Sequence, residues 1–387
     1  MVKAIKVMLI PNNVQKTKMF QYAGASRFAY NWALAREIEN YEKGEKFISD
    51  AELRKEFTKL RHSDEYAWLL NISNNVTKQA IKDACTAYKN FFKGLQKFPR
   101  FKSKKRSMPK FYQDNVKIRF SNTHVKFEGF SSSRKANKQK MNWVRLAEHG
   151  RIPINAKYMN PRISFDGLNW WISVCVEFPD CRETLNDDGV GIDLGIKDLA
   201  ICSDGTKYKN INKSQKVKKS EKQKRRLQRS ISRSYEKNKK GVSYCKTNNV
   251  IKKEKLLLKR NHRLTNIRKN YLNQTISEIV DRKPRFICIE DLNVSGMMKN
   301  RHLSKAVQEQ GFLGFRKQLE YKCSDKGIQL IVADRFYPSS KLCSCCGNIK
   351  KDLKLSDRVY RCACGNMIDR DFQASINLKT YGEKFAG

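Results

Sequence analysis

The sequence predicts an α+β protein of more than one domain, and three observations predict it. A stretch with helical periodicity, residues 15 to 95, interrupts a region patterned as strands. Two short apolar runs, "GVGIDLGIKDLA" and "RFICIEDL", each carry acid at the end of what reads as a buried strand. Five cysteines crowd into residues 343–364. At 387 residues with 40% hydrophobic content, the chain is long enough to bury more than one core.

Residues 3–10 alternate apolar and basic side chains, which reads as a strand. Phe20, Phe28, Trp32 and Ala35 then fall on one helical face, as do Ile81, Tyr88 and Leu95. Pro99 and Pro109, in "KGLQKFPRFKSKKRSMPK", close this helical bundle. Strand patterns return at Val116-Ile118-Phe120 and at Val125-Phe127. "RISF" and "WWISVCVEF" flank Asp166-Gly167-Leu168-Asn169, a hairpin signal. The economical reading is one β region split by a helical insert. "EFPDCRETLNDD", residues 177–188, reads as a linker.

"VGIDLGIKDLAICSDGTKYKNI", residues 190–211, reads as three strands with a turn at Ser203-Asp204-Gly205. From 213 to 269 the chain holds 22 Lys or Arg against only Glu221, Glu236 and Glu254. Leucines and isoleucines recur there at helical spacing, so two long helices are expected, broken near Lys240-Gly241. "RFICIEDL" and "IQLIVAD" are further strands, and a last helix is expected over about 371–380.

Eighty basic residues against 38 acidic give a net charge of +42. Such a surplus repels itself unless a polyanion neutralises it, and nucleic acid is the matching partner. Aromatic residues, at 10%, can stack on bases. A structural helical hairpin would normally interleave opposite charges, so the excess over 213–269 marks a backbone-holding surface. The stretch 97–110, with Phe98 and Phe101 among Lys and Arg, is a second one. "MVKAIKVMLIPNN" alternates apolar residues with lysines, so no secretory signal is expected in it. No run approaches the roughly 20 apolar residues that span a bilayer. The expected compartment is the cytoplasm, with reduced thiols.

Asp193 sits in a strand otherwise made of Gly, Val, Ile and Leu, where a carboxylate is costly without compensation. Flanking glycines are expected to clear space for a large ligand. Glu290 repeats the situation in "FICIEDL". Two such strands suggest neighbours gripping a divalent cation, and hard oxygen ligands suit Mg²⁺ or Mn²⁺. A third acid is needed to hold two metals about 3.5–4 Å apart for phosphodiester cleavage. Asp371, opening the last helix, is the candidate, with a plain N-cap as its competing role. Cys343 and Cys346 in "KLCSCCG", with Cys362 and Cys364 in "YRCACG", form two knuckles spaced as in a zinc ribbon. Cys345 competes with Cys346 as a ligand. Four thiolates leave no open position, so this Zn²⁺ is expected to be structural.

In order, "GIDLGIKDLA", "IEDLNVSGM", "RFYPSSKLCSCCG" and "YRCACGNMIDRDFQASINL" resemble TnpB, the nuclease family of one group of bacterial insertion sequences. The set is also similar to the compact type V CRISPR nucleases. "SRFAYNWAL" and "KFPRFKSKK" resemble the family's amino-terminal signatures, so the resemblance spans nearly the whole chain. One departure is Gln373-Ala374-Ser375, where the family often has Asn-Ala-Ala. The resemblance implies an RNase H-like (RuvC) nuclease domain, residues 187–340 and 367–387, interrupted by a zinc ribbon at 341–366. It also implies a β-barrel wedge domain, residues 1–12 and 100–180, carrying a helical recognition insert at 13–99. Asp193, Glu290 and Asp371 match the family's metal-binding acids by motif, and Asp369 does not.

The implied function is RNA-guided cleavage of DNA. The partners would be a guide RNA made from the element's own end and a duplex bearing a short flanking motif. Two other functions are open to the sequence. A strand-transferring transposase also uses an RNase H fold, but its usual acid order is Asp, Asp, Glu, whereas here it is Asp, Glu, Asp. A nuclease-dead, RNA-guided regulator is disfavoured by an intact triad.

Overall fold

A computed structural model describes residues 1–130, 140–179, 183–354 and 357–386. Residues 131–139 of the expected β region, 180–182 of the expected linker and 355–356 of the expected ribbon lie outside the described residues. The chain divides into two units, Met1–Pro179 and Asp180–Gly387.

In the first unit, β1 (Val2–Ile10) leads into α1 (Asn13–Glu42). Asn12 caps that helix in a capping box, accepting from the Gln15 N–H while the Gln15 side chain accepts from the Asn12 N–H. Ser49 and Glu52 form the same box at the start of α2 (Asp50–Arg61). A 3₁₀ segment, Asp64–Asn71, precedes α3 (Asn74–Phe92). The chain then supplies β2 (Lys110–Tyr112), β3 (Arg119–Phe120), β4 (His124–Lys126), β5 (Trp143–Leu146), β6 (Tyr158–Phe165) and β7 (Trp170–Glu177). These strands pair antiparallel in the order β2-β6-β7-β1-β5-β4-β3. The expected hairpin is present: Asp166 Oδ1 accepts from the N–H groups of Leu168 and Asn169, which fixes the turn between β6 and β7.

The expected barrel is not closed by backbone pairing among the described residues. β2 and β3 are the two edges of the ladder, and the Gln113 side chain spans between segments by accepting from the Glu128 N–H. Of the strand read over Val116-Ile118-Phe120, only Arg119–Phe120 is one, and residues 115–117 form a turn with Val116 exposed. The inward face of α1 also differs from expectation. It carries Met19, Tyr22, Ala25, Ala29 and Ala33, while Ala35 is exposed and Phe28 and Trp32 sit at the flank. The small alanines let α1 approach α3 closely, and the large aromatics cover the margin. Leu95 lies beyond the end of α3 and is exposed.

The second unit centres on a mixed sheet. β8 (Val190–Leu194), β9 (Asp198–Cys202) and β10 (Lys207–Lys209) pair antiparallel in succession. After them comes the basic segment as two long helices, α4 (Gln215–Lys237) and α5 (Asn248–Val280), joined through β11 (Lys239–Lys240) and β12 (Ser243–Tyr244). Then β13 (Phe286–Glu290) lies parallel to β8 on one side and to β14 (Gln329–Ala333) on the other. Between β13 and β14 run α6 (Val294–Lys299), α7 (Ser304–Gln310) and α8 (Phe312–Lys326), none of which the sequence pattern had marked. A small hairpin, β15 (Val359–Arg361) and β16 (Met367–Asp369), feeds directly into α9 (Arg370–Glu383).

Alternation along the strands sorts the two faces. Val190, Ile192 and Leu194 of β8, with Ile287 and Ile289 of β13, pack against Ile276, Ile279 and Val280 of α5 and Phe312, Phe315 and Leu319 of α8. Phe286 and Cys288 point the other way, toward Leu378 and Tyr381 of α9. Asp193 and Glu290 therefore belong to the face covered by α9. Among the described residues no helix is long and apolar enough to cross a membrane.

Candidate active site and metal centre

The parallel register pairs Ile192 of β8 with Ile289 of β13. Asp193 and Glu290 are each the next residue along, so they stand side by side at the carboxyl ends of neighbouring strands and on one face. Asp371 lies in the first turn of α9, which crosses β8 at Gly191. The close approach explains that glycine. A Cβ there would fall 2.0 Å from the Ser375 carbonyl oxygen and 2.3 Å from the Lys379 nitrogen. The space beside Asp193 on that side is thus filled by helix α9, not reserved for a ligand as the glycine pattern had suggested.

The carboxyl of Asp193 is held well above its usual pKa, first by burial, then by the charges of Glu290 and Asp371. Glu290 is raised too, by burial and by Asp371, against a stabilising hydrogen bond from the Ser339 hydroxyl. Glu290 and Asp371 both act on Asp193, and Asp371 acts on Glu290, so the three acids form one electrostatic cluster. Their oxygens do not converge to ligand spacing. Among the described residues the four cysteines are the one group of metal-binding type whose ligand atoms all lie within 4.8 Å of one another. Asp371 instead meets Arg370 Nη2 at 2.9 Å and Arg358 Nη1 at 3.7 Å. Arginines balance Asp371, and a donor set of hard carboxylate oxygens, with the proton affinity of Asp193 and Glu290 raised, fits a divalent cation.

The N-cap alternative for Asp371 is resolved by its neighbour. Asp369 Oδ1 accepts from the N–H groups of Asp371 and Phe372, both at 3.1 Å, and so caps α9 itself. Asp371 follows inside the first turn, and its carboxylate makes no cap.

Cys343 and Cys364 bring their sulfurs to 3.7 Å, and Cys346 and Cys362 to 3.6 Å. A tetrahedron of thiolates around zinc, with Zn–S near 2.3 Å, has edges of about 3.8 Å. The four side chains therefore fit a Zn²⁺ site as they stand, and Cys345 is outside the group. Each knuckle turns on a glycine with positive φ, Gly347 at 73° and Gly365 at 88°. Burial works against ionising Cys343, but hydrogen bonds from the Asn366 side chain and from the N–H groups of Cys346 and Cys345 lower it to about 6. The ribbon is tied to α9 by Gln373, fully buried, which donates to the Leu342 carbonyl at 2.8 Å and accepts from Asn366 Nδ2 at 2.8 Å. This is the position where the sequence departs from Asn.

The basic hairpin folds back on itself. Arg268 of α5 pairs with Glu221 of α4 at 3.1 Å, and Lys253 donates to Ser230 at 2.9 Å. Lys218, Lys222, Arg225 and Arg229 of α4 join Arg268 and Lys305 around an open cleft of about 580 Å³. In the first unit Phe98 and Phe101 are exposed as expected. Lys102 is not part of that surface. Its ammonium packs 2.9 Å from the Tyr30 ring centroid, and burial drops its pKa to about 7.

Three segments match known families: residues 1–46 a "Helix-turn-helix domain", 173–301 the IS605 OrfB family described as "Probable transposase", and 312–378 the "Cas12f1-like, TNB domain". Over 378 residues the chain is 30% identical to the "Putative RNA-guided DNA endonuclease InsQ" of Escherichia coli (strain K12), covering 93% of this chain and 87% of that one. It belongs to the TnpB family. Another TnpB-type relative, the "Putative RNA-guided DNA endonuclease" of Streptomyces pristinaespiralis, is 28% identical over 98% of this chain and 89% of its own. The fold resembles the solved Cas12f1–sgRNA–target DNA complex, with a TM-score of 0.61 at 12% identity, over 98% of both chains. In this TnpB chain the residues of the helix-turn-helix match form β1 and α1.

Proposed function

We propose that this chain is an RNA-guided DNA endonuclease of the RuvC type, with a single metal-dependent active site in the second unit. The observation that carries the reading is that Asp193 and Glu290 stand side by side on the sheet face covered by α9, with Asp371 in the first turn of that helix, and that Asp193 and Glu290 are both pushed toward the protonated form by burial and by neighbouring acids. Membership of a family with relatives named as RNA-guided DNA endonucleases supports it.

Asp193, Glu290 and Asp371 would hold Mg²⁺ or Mn²⁺, which, bound there, supplies a Lewis acid for the phosphate and an activated water for in-line attack. The chain's own contribution is placement. Adjacent parallel strands fix the first two carboxylates, the Asp369 cap fixes the start of the helix bearing the third, and Arg370 and Arg358 balance its charge. Cys343, Cys346, Cys362 and Cys364 would hold a structural Zn²⁺. The domain reading follows: RuvC over 187–340 and 367–387 with the ribbon at 341–366, and in the first unit a wedge over 1–12 and 100–180 with the recognition helices at 13–99. The cleft of α4 and α5 and the Phe98–Phe101 segment would grip nucleic-acid backbone without reading sequence. Specificity would come from base pairing with a guide RNA transcribed from the element's own end, beside a short motif read in duplex DNA.

The test is expression with the flanking genomic DNA. A discrete RNA should co-purify, and its terminal segment should dictate which plasmid is cut in Mg²⁺. Exchanging that segment should move the cut with no change to the protein. The family description "Probable transposase" favours a second reading, strand transfer. Joined rather than released DNA ends, or cleavage indifferent to the RNA, would replace the first reading with that one or with a plain nuclease.

A further inference from the structure

The loop after β14 brings one buried side chain against Glu290. Ser339 is only 4% exposed, and its hydroxyl donates to Glu290 Oε1. The loop does not need that hydroxyl to hold its shape. The Ser339 carbonyl accepts from Asn377 Nδ2 at 2.7 Å, and the same Nδ2 donates to the Leu342 carbonyl at 2.7 Å. Gln373 Nε2 donates to Leu342 as well, at 2.8 Å, and the Tyr337 hydroxyl donates to the Asn377 carbonyl at 3.1 Å. Asn377 and Gln373 are both buried, and both lie on α9, the helix that starts with Asp371. One step beyond Leu342 stands Cys343 of the thiolate cage.

We infer that Ser339 is a positioning residue for Glu290, and that Asn377 holds it in place so that the orientation of Glu290 is set by the same helix that carries Asp371. A ligating carboxylate has two oxygens and a free terminal torsion. A hydroxyl donated to one oxygen picks a single orientation and satisfies that oxygen, leaving the other to a cation. The division of labour is visible in the partners. Backbone carbonyls of the loop go to Asn377 and Gln373, the Tyr337 hydroxyl goes to the Asn377 carbonyl, and the Ser339 hydroxyl goes to the acid. The ribbon, the loop and the last helix then form one connected support behind the site, which couples the zinc cage to Glu290 as well as to Asp371.

This inference rests on Glu290 being a metal ligand, and the experiment separates the two claims. Mn²⁺ binding is measured by electron paramagnetic resonance on the full-length protein with its co-purified RNA, next to the Mg²⁺ dependence of DNA cleavage, the zinc content and the melting temperature. Ser339→Ala should weaken Mn²⁺ binding and raise the half-saturating Mg²⁺ concentration by about 10- to 100-fold, the usual cost of losing a partner behind a ligand. Zinc content, RNA binding and melting temperature should stay near wild type. Ser339→Thr keeps the hydroxyl and should recover most of the loss. If threonine does not fit the buried site, Ser339→Cys, with a weak donor of similar size, should fall between wild type and alanine. Unchanged metal dependence in Ser339→Ala, while Glu290→Ala is inactive, overturns this inference alone. Loss of zinc or of folding in step with activity would also overturn it, making the hydroxyl structural. Full cleavage by Glu290→Ala would instead overturn the active-site reading beneath it.

Discussion

Gly191→Ala puts the packing of the site to a quantitative test. The added methyl would lie 2.0 Å from the Ser375 carbonyl oxygen, 2.3 Å from the Lys379 nitrogen and 3.0 Å from the Leu378 carbonyl carbon. Ordinary contact begins at 3.4 Å, so α9 and β8 must separate by about 1.4 Å at the tightest point. All three atoms are backbone, so no rotamer change relieves the clash. Overpacking of this kind costs about 1–3 kcal/mol. For a unit of this size each kcal/mol lowers Tm by about 2–4 °C. The effect on chemistry should be larger in proportion. Asp371 is one turn upstream of Ser375 on the helix that must retreat, and a misplacement of about 1 Å can cost about 100-fold in rate. The expected result is a protein that folds, binds its RNA and target, melts a few degrees lower, and cleaves a labelled duplex at least tens of times more slowly under single-turnover conditions. Gly314→Ala is the control, because its Cβ meets nothing within 4 Å and a helix interior favours alanine. Wild-type cleavage and melting in Gly191→Ala would refute the argument that this contact sets the distance between Asp193 and Asp371.

Alanine at Asp193, Glu290 or Asp371 should each abolish cleavage and leave nucleic-acid affinity intact, because binding is spread over many cations. Asp369→Ala should cost about 1 kcal/mol of stability through the lost cap yet retain more cleavage than Asp371→Ala; the opposite ranking would reassign the third acid. Elemental analysis should find one zinc per chain, lowered together with thermal stability in Cys343→Ser or Cys362→Ser and unchanged in Cys345→Ser. Glu37 is buried in α1, and burial raises it to about 7 against partial compensation from the Ile48 N–H and the Cys85 thiol. A carboxyl raised in the folded state carries no penalty below its unfolded pKa and its full penalty above its folded one. Glu37→Gln should therefore leave stability unchanged near pH 4, raise it increasingly from about pH 4.5 to about pH 7, and keep that gain at a plateau above; a melting-temperature difference that shrinks with rising pH would contradict the assignment.

What could be read from the sequence is what leaves a pattern within one segment. An acid at the end of an apolar strand announces Asp193 and Glu290, because burial makes the residue anomalous where it stands. Two cysteine knuckles announce the cluster of four thiols for the same reason. The third acid stayed ambiguous, since Asp369 and Asp371 both lie at the start of the last helix and only the hydrogen bonds show which of them caps it. The inward face of α1 was misread because aromatic bulk was given weight over the alanines that permit close helix contact. Gly191 was read as room for a ligand because a missing side chain does not say what fills the space. Ser339 and Asn377 left no pattern at all, as each is one polar residue whose partner is distant in sequence, Glu290 by 49 positions and the Ser339 carbonyl by 38. These long-range contacts explain why a thiolate cage abuts the acids. β16 leaves the ribbon and becomes α9 without a linker, so Asp371 inherits its position from the cage at one end. At the other end Leu342 precedes Cys343, and the loop it closes holds Ser339 against Glu290. On the proposed reading, a site assembled from three separate segments gains a common frame when two of them are fastened to one insert, and the cost of that arrangement would be a fold that depends on its metal at a place where the chemistry depends on the fold.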